Sequence, residues 1–475
     1  DIIVIPAGTY TLTIAGANED DNATGDIDLK EEVTLRGAGP SDTIIDGGGV
    51  DRVFDSSAAT AHFSQMTIRN GKESNGDGGG GILQPASVTN VVLDSNSTAG
   101  RGGAIFARGV TVKGSTLSGN TAQYGGGIAC GTFDPNAIFS EQPFSCSLID
   151  TTISNNSAEV GGGVFFTDGH THGIGRMLIA NSTITENIAN GTSNFFCPGG
   201  TSQGGGLYTH DGRTSIANSI IAGNTDQNGN GPDCSTLDPA GCGGLALSAS
   251  TSSLGYNLIG DTSECSLVPA IGDIFGTSSS PVDPLLAALV ENGNGIFTHA
   301  PSSTSPVLDA GNPAVEGSEI AACTAQDASS TFRSRKSSIA GSCRCDIGAH
   351  ELAPGAVDNS DCTFQVSSTK PSTRGCRVLK LRFNRSVDTS SDNLARVSVA
   401  GGVPARVRIR SGAASGKGTV LVRPRGRRSW KRRRVTVTVG GEFVSSNGVT
   451  PLDGNADGSV MDEYSKTFVI RRRCR

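Results

Sequence analysis

Short runs of aliphatic and β-branched residues alternate along most of the chain with turn-forming Gly, Asn and Asp, and no helical periodicity accompanies them. Two motifs alternate within this pattern. The first is a glycine-rich motif followed by an aliphatic anchor, and its five anchors are Ile82, Ile105, Ile128, Val164 and Leu207. The second motif ends in asparagine, at Asn96, Asn120, Asn156, Asn187 and Asn224. Together the two motifs define one repeat unit.

The spacing of the anchors predicts the architecture. Successive anchors are 23, 23, 36 and 43 residues apart, as expected for a constant coil that carries loop insertions, the first of them between Cys130 and Cys146. A period near 23 residues with short strands and no helix predicts a right-handed parallel β-helix, a β-solenoid with about three short strands per coil.

Each repeated residue type has a structural role in such a coil. Paired glycines permit positive φ at a tight corner and allow neighbouring backbones to approach closely. The aliphatic anchor is predicted to point inward and to stack on its equivalent in the next coil. The asparagine is predicted to adopt the left-handed conformation at another corner and to bond its side chain to the asparagines above and below. None of these residues therefore needs a catalytic role.

The composition changes after Ala353-Pro354-Gly355. Seven alternating segments follow, namely CTFQVSS, VLKLRFN, ARVSVAG, ARVRIRS, TVLVRP, RRVTVTVGG and KTFVIRR. Seven short strands separated by turn residues predict a β-sandwich. The expected domains are therefore a parallel β-helix over residues 1–352 and a basic β-sandwich over residues 353–475.

Composition and charge refine this division. The chain has 475 residues, of which 66 are glycine and 17% are charged, which disfavours a helical bundle. From Leu352 onward 24 Lys and Arg stand against 9 Asp and Glu, whereas the preceding part has 14 against 36. An acidic body thus precedes a basic tail.

No apolar run is long enough to span a membrane. Because the chain starts within a strand-like run, we expect N-terminal processing or truncation.

Several segments carry a family resemblance. IVIPAGTYTLTIAGANEDDNATGDIDL, LRGAGPSDTIIDGGGVDRVF, SLGYNLIGD, SPVLDAGNP and CDIGAHE resemble bacterial secreted β-helix proteins with a CSLREA opening motif and a choice-of-anchor Q region. The glycine and asparagine motifs are similar to the repeats of chlamydial polymorphic outer membrane proteins. The tail is similar to bacterial Ig-like domains. The resemblance implies a secreted or cell-surface protein, and the CSLREA segment itself, expected upstream of Asp1, is not in this sequence.

Twelve cysteines without a C-x-x-C pair favour disulfides in an oxidising compartment. Cys130 and Cys146 flank the first insertion and are predicted to be bridged, which is worth about 3 kcal/mol in the chain-entropy model. Further expected pairs join Cys234 to Cys265 and Cys323 to Cys343 or Cys345. Cys474 is expected to join Cys362 or Cys376.

Three groups of residues could hold a metal ion. Alignment of the glycine motifs places Asp168 beside Asp211 and Thr167 beside His210, with His170 and His172 in the same turn. The alternative interpretation is that these are exposed turn residues.

Asp453, Asn455 and Asp457 have the spacing of a calcium loop, with Asp462 or Glu463 as a further oxygen ligand. Calcium is therefore the possible cofactor. The acidic segment with Glu19, Asp20, Asp21, Asp26 and Asp28 is interpreted as a solvated loop.

The tail also contains a basic patch around one aromatic residue. Its members are Arg423, Arg425, Arg427, Arg428, Trp430, Lys431, Arg432, Arg433 and Arg434. Such a patch can bind single-stranded nucleic acid. Since the disulfides indicate an extracellular protein, we expect no nucleic acid but an anionic cell-envelope polymer or glycan, or the acidic body of a second copy.

These observations favour a non-enzymatic extracellular structural and adhesive protein. Self-association into a head-to-tail fibre is expected because the first coil lacks a cover and the two ends carry opposite charge. The alternative is a polysaccharide lyase or hydrolase, since such enzymes also use parallel β-helices. Their catalysis needs clustered carboxylates with basic partners, and the coils contain no GHG, RIK or paired Asp motif. No catalytic residue is assigned.

Overall fold

The protein is all-β in the part that the structure describes, as predicted. The computed structural model describes residues 1–17, 21–131, 144–168, 175–191, 203–236, 249–312, 322–324, 326–330 and 344–352, and in the tail the seven strands given below. No described residue lies in a helix, so none contributes to a helix that could cross a membrane. The chain divides into two compact units, the first formed by Asp1–Asn312, Glu316–Arg333 and Cys345–Ala353.

Three parallel sheets form the first unit, and the first sheet bends into two limbs. Limb 1a contains Ile2–Val4, Val33–Arg36, Val110–Lys113, Ser145–Ile149, Arg176–Ala180, Arg213–Ala217 and Ser250–Ser253. Limb 1b contains Gly8–Thr11, Thr43–Asp46, Thr116–Ser118, Thr152–Ser154, Thr183–Thr185, Ile220–Ile221, Leu258–Ile259 and Ile274–Phe275. Two longer strands, Ala61–Arg69 and Ser87–Asp94, run through both limbs. Sheet 2 contains Lys72–Glu73, Ser97–Thr98, Thr121–Tyr124, Ser157–Val160, Ile188–Ala189 and Thr225–Asp226. Sheet 3 contains Ile27–Asp28, Phe54–Asp55, Ile82–Leu83, Ile105–Ala107, Ile128–Gly131, Val164–Thr167, Leu207–Thr209 and Cys234–Thr236.

Each pass of the chain through these sheets, here called a coil, pairs with the preceding coil. Ile105 pairs in parallel with both Ile82 and Ile128 in sheet 3. This arrangement is compatible with a parallel β-solenoid. The period of 23 residues holds for these coils, whereas limb 1a advances by 31 residues from Ser145 to Arg176. The two coils that contain the longer strands Ala61–Arg69 and Ser87–Asp94 have three strands, as predicted, whereas the four coils from Val110 to Thr236 have four, because the first sheet is divided at its bend.

Left-handed residues form the corners of each coil. The bend between limbs 1a and 1b has positive φ at Gln65, Asn90, Gly114, Asp150, Asn181, Asn218 and Tyr256. The corner before sheet 3 has positive φ at the glycine three residues before each aliphatic anchor, namely Gly79, Gly102, Gly125, Gly161 and Gly204. The second motif glycine serves close approach, since a Cβ on Gly126 would lie 2.4 Å from the Gly162 carbonyl oxygen. Both roles are those predicted for paired glycines.

The repeated asparagines form a buried ladder. The side-chain amide nitrogens of Asn96, Asn120, Asn156 and Asn187 each donate to the Oδ1 of the asparagine in the next coil at 2.9 to 3.1 Å. The backbone N–H of each residue donates to the same oxygen. The left-handed residue at this corner is the one before the asparagine, such as Ser95 or Asn155, so the prediction of left-handed asparagines is wrong. Because the residue before each asparagine is left-handed, the asparagine side chain points along the axis of the stack toward the next coil.

Both polar ladders of the stack end on a carboxylate. Asn224 donates its backbone and side-chain N–H groups to Asp233 Oδ1, both at 3.0 Å. In the second ladder the backbone N–H of Ser182 donates to Ser219 Oγ and that of Ser219 to Asn257 Oδ1. Asn257 then donates to Asp273 Oδ1. The hydrogen bonds between neighbouring ladder residues all run toward the last coil, whereas the second amide hydrogen donates to a carbonyl oxygen of the preceding coil, as from Asn156 to Leu117. Each ladder therefore needs a terminal acceptor for the bonds that run forward.

Columns of aliphatic side chains fill the interior. Ile82, Ile105, Ile128, Val164 and Leu207 are all fully buried, and the same column continues to Cys234. Limb 1a alternates buried and exposed residues, as in Val110–Lys113, because its outer face meets solvent. The middle strands of limb 1b are buried on both faces, as in Thr152–Ser154, because a further segment covers them, whereas Gly8–Thr11 in the first coil is exposed.

That further segment, here called the strap, comprises residues 282–312 and 345–352. It runs back along limb 1b from the last coils, and its hairpin of Val290–Glu291 and Phe297–Thr298 reaches the second coil, where Gly295 packs against Ser41. Thr116 Oγ1 donates to the Phe297 carbonyl oxygen at 2.8 Å, and Thr183 Oγ1 accepts the Ala349 N–H at 3.0 Å. The strap therefore clamps several coils together.

The two strap segments join where the sequence motifs SPVLDAGNP and CDIGAHE lie. The Ile347 N–H donates to the Val307 carbonyl oxygen, and both side chains pack on Ile220 and Leu258. The backbone N–H of Asp309 donates to Asp346 Oδ1 at 2.8 Å. Residues that resemble a family motif thus form the base of the strap.

The second unit contains two antiparallel sheets. One consists of Val366–Pro371, Leu379–Phe383, Thr419–Pro424 and Ala405–Arg410, and the other of Val397–Ala400, Arg434–Val439 and Tyr464–Val469. Each strand overlaps one of the seven predicted segments. Val420, Val422 and Val437 are buried.

Removal of one ladder amide should destabilise the stack. Asn156→Ala leaves the backbone and side-chain donors of Asn120 without an acceptor in a buried site, so we expect a loss of about 2 to 4 kcal/mol in the free energy of unfolding. Asn190→Ala, which removes an exposed amide bonded to Ser157, should cost under about 0.5 kcal/mol. Urea denaturation measures both, and equal losses would contradict the ladder's role.

The terminal carboxylate should make stability depend on pH. Burial raises the pKa of Asp233 to about 6, against the hydrogen bonds from Asn224 and Asp261. Because the unfolded value is about 3.9, the folded protein holds this proton more tightly, and the stabilisation present below about pH 4 is lost as the pH rises through 6. Asp233→Asn should remove a decrease of about 2 kcal/mol between pH 4.5 and pH 7.5. Urea unfolding at pH 4.5 and 7.5 tests this, and an unchanged pH dependence would contradict it.

Candidate functional site

The residues named as a histidine and aspartate site lie together at the edge of sheet 3. Thr167 Oγ1 donates to Asp211 Oδ1 at 2.6 Å, and the Asp168 N–H donates to the same oxygen. His210 Nδ1 lies 3.5 Å from Asp211 Oδ2. The pairing of Val164 with Leu207 sets this register, so the adjacent positions inferred from the glycine motifs are those that the structure has.

This cluster is buried. Asp168, Asp211 and His210 are 0%, 2% and 4% exposed, so the interpretation of these three as exposed turn residues is wrong. The His210 ring stacks on Phe165, whose other neighbour Tyr208 is also buried. His170 and His172 lie outside the described residues. Hydrogen bonds between neighbouring coils, rather than access to solvent, characterise this cluster.

A second cluster was only partly identified from the sequence, which named Asp26 and Asp28 but not Arg52 or Asp55. Asp26 is only 9% exposed and its Oδ2 lies 2.9 Å from Arg52 Nε, so the interpretation of this acidic segment as a solvated loop is wrong at Asp26. Asp21 is exposed and pairs with Lys30. Glu19 and Asp20 lie outside the described residues. The sequence contained one available signal, an arginine among acidic residues in VDRVFD, but nothing that showed burial.

Arg52 is the centre of this cluster. Its Nη1 donates to the Gly78 carbonyl oxygen at 2.9 Å, and Asp55 and Asp77 lie 3.9 Å from its terminal nitrogens. Burial raises the pKa of Asp26 to about 7 although Arg52 opposes this shift. Burial also raises the pKa of Asp51, whose side chain accepts the Arg52 N–H. One guanidinium thus offsets several carboxylates.

The same cluster includes carboxylate oxygens at metal-ligand spacing. One oxygen each from Asp26, Asp28 and Asp55 lie within 4.8 Å of one another, the only such group of His, Cys, Asp or Glu ligands among the described residues. Three carboxylates suit calcium in their chemistry. Arg52 already brings a positive charge to Asp26, however, so the geometry fits an ion-pair cluster better than a cation site.

Six cysteines form three pairs at disulfide distance. These pairs are Cys130 with Cys146, Cys234 with Cys265 and Cys323 with Cys345, each among the pairs expected from the sequence. The first pair closes the insertion between sheet 3 and limb 1a, and the third joins the base of the strap to residues 322–324. Cys343, Cys362, Cys376 and Cys474 lie outside the described residues.

Most of the candidate site residues in the tail lie outside the described residues. Asp453, Asn455, Asp457 and Asp462 of the predicted calcium loop lie outside the described residues. Of the basic patch, Arg423 lies on Thr419–Pro424 and pairs with Arg406, and Arg434 begins Arg434–Val439 and pairs with Val469. The remaining members of the patch, between these two strands, are outside the described part.

A scan against protein-family models finds no match to this chain, and searches of the curated proteins and of the solved structures find none either.

Loss of Arg52 should destabilise the first unit in a pH-dependent way. Arg52→Gln leaves buried carboxylates without a counter-charge, so we expect a loss of about 3 to 5 kcal/mol at pH 8. At pH 5 the loss should be smaller, because Asp26, with its raised pKa, is then protonated. Arg176→Gln, at an exposed strand position, is the matched control. Urea unfolding at both pH values is the measurement, and an equal loss at both would assign the effect to packing instead of charge.

Proposed function

We propose that this chain is a non-enzymatic structural and adhesive protein of the cell exterior. In this proposal residues 1–352 form a rigid right-handed β-helix, and the basic Ig-like sandwich of residues 353–475 attaches or assembles it. The observation that carries the proposal is the burial of the Asp168, His210 and Asp211 cluster. Acidic and histidine side chains that are at most 4% exposed cannot reach a polymeric substrate, and their hydrogen bonds join adjacent coils.

Further observations support the finer parts of the proposal. Parallel sheets formed by strands of successive coils agree with the resemblance to secreted β-helix surface proteins. The connection between two parallel strands of one sheet is right-handed in nearly all proteins, which supports a right-handed β-helix. Seven strands in two antiparallel sheets support an Ig-like sandwich. Three cysteine pairs at disulfide distance support an oxidising, extracellular location.

The exposed edge strand of the first coil supports the proposed self-association. Its strand Ile2–Val4 pairs on one side with Val33–Arg36, and Ile2, Ile3 and Val4 are 71%, 50% and 59% exposed. Such an edge can add another strand. In the proposal a second copy covers it, and the acidic body and the basic tail steer the contact into a head-to-tail arrangement. The basic tail is the proposed contact for an anionic envelope polymer.

Sedimentation velocity tests the self-association. The protein should form concentration-dependent oligomers at low salt and dissociate at high salt, because screening weakens contacts between opposite charges. Ile3→Lys should abolish the oligomers by placing a charge on the edge strand, whereas Ile188→Lys on sheet 2, also at a partly exposed isoleucine, should not. A monomer at both salt concentrations would overturn head-to-tail assembly.

The alternative function, a polysaccharide lyase or hydrolase, requires a separate assay. Under the proposal, incubation with a panel of acidic glycans releases neither reducing sugar nor unsaturated product. Release that is lost in Asp211→Asn would replace the proposal with the enzymatic alternative.

A further inference from the structure

A cleft lies between the strap hairpin and the outer face of limb 1b. Its volume is about 390 Å³, within the range of small-ligand sites. Ile44, Thr67 and Val92 form its floor, and they occupy one position in three successive coils. Pro40 and Ser41 close one end, where Gly295 of the hairpin packs against them. The cleft therefore runs along the stack, across coils about 4.8 Å apart.

One wall of the cleft is polar. It is formed by Arg69, Asp94 and Ser118, which are paired neighbours in successive coils. Arg69 Nε donates to Asp46 Oδ2 at 2.8 Å, and its two terminal nitrogens form no hydrogen bond within the described part of the protein. Asp94 accepts hydrogen bonds from Ser118 Oγ at 3.0 Å and from Ser95 Oγ at 3.1 Å. A free guanidinium edge thus stands one coil away from a positioned carboxylate.

The opposite wall is apolar. Leu289 and Phe297 of the hairpin form it, and the Phe297 side chain is 37% exposed. The backbone N–H and C=O of Phe297 both bond to Thr116 Oγ1, at 3.1 and 2.8 Å. The adjacent Ile296 is buried against Val92. The aromatic ring is thus held in place on a fixed backbone while part of its surface faces solvent.

The charges exclude a strongly ionic ligand. The polar wall has one positive group, Arg69, and one negative group, Asp94, and Arg69 is already paired with Asp46, which does not line the cleft. An anionic glycan would be repelled by Asp94 and would gain little from Arg69, whose charge Asp46 already offsets. A ligand that both donates to Asp94 and accepts from Arg69, and that has an apolar face for Phe297, satisfies all three groups. Sugar rings combine these properties, because their hydroxyl groups donate and accept and their C–H faces are apolar.

We propose that this cleft binds a neutral saccharide of about one or two sugar units. The ring lies against Phe297, and neighbouring hydroxyl groups bond to Asp94 and to the terminal nitrogens of Arg69. The site is separate from the first-coil edge and from the basic tail, so it does not depend on the proposed self-association.

Saturation-transfer difference NMR and isothermal titration calorimetry with the full chain test this inference. The probes are glucose, galactose, mannose and N-acetylglucosamine with their β-linked disaccharides, and galacturonate as the charged comparison. At least one neutral probe should bind in the millimolar range or tighter, and galacturonate more weakly. Phe297→Ala and Asp94→Asn should each weaken that binding by about tenfold or more.

Val290→Ala is the matched control, since Val290 lies in the same hairpin, is 48% exposed and does not line the cleft. It should leave affinity unchanged. An unfolding midpoint within a few degrees of the parent shows that each variant is folded. Three results would each overturn the proposal. The first is that no neutral probe binds, and the second is that Phe297→Ala and Asp94→Asn bind the probe as tightly as the parent protein. The third is that galacturonate binds more tightly than the neutral probes.

Discussion

The parallel register between coils is the constraint on which the remaining structure depends. Every coil must present its backbone and side-chain donors to acceptors at the same height in the next coil. Left-handed residues at the corners make this possible, because they turn the chain without using the space of the neighbouring coil. The asparagine ladder then satisfies two donors per coil in an interior where an unpaired amide would be costly.

Because the hydrogen bonds between neighbouring ladder residues all run in one direction, the last coil differs in chemistry from the others. An asparagine there would present unpaired N–H groups, whereas Asp233 and Asp273 only accept in their ionised form. The cost of this solution is visible in Asp233, whose pKa is raised by burial. The repeat is therefore uniform in its middle and is terminated by residues of a different kind.

The parts of this structure that the sequence predicted are those with local periodicity. The column of Ile82, Ile105 and Ile128 follows from equal spacing, and so does the approach of Thr167 to His210. The left-handed corner residue was assigned to the wrong position because Asn, Ser, Glu and Gly all occupy it, so it has no consistent residue type. The strap has no period. Its contact between Thr116 and Phe297 joins residues 181 positions apart, and no pattern in either segment indicates the other.

The candidate site was only partly predictable for a related reason. Asp168, His210 and Asp211 were found by alignment of the repeats, but their burial depends on aromatic neighbours from two coils. Asp26 and Arg52 meet because the turns that precede sheet 3 in the first two coils lie against each other. Charged residues are rarely buried, so composition alone favoured a solvated loop for Asp26. The pairing that permits its burial is visible only in three dimensions.

The strap also fixes the length of the stack. Repeat proteins commonly gain or lose units, since each unit contacts only its neighbours. Here one continuous hairpin holds Ser41 near one end, and its base holds Ile220 and Leu258 near the other. Duplication or deletion of a single coil between them would shift one set of contacts by about 4.8 Å along the axis. The strap thus acts as a molecular ruler, and evolutionary change in coil number would require a matching change in the strap.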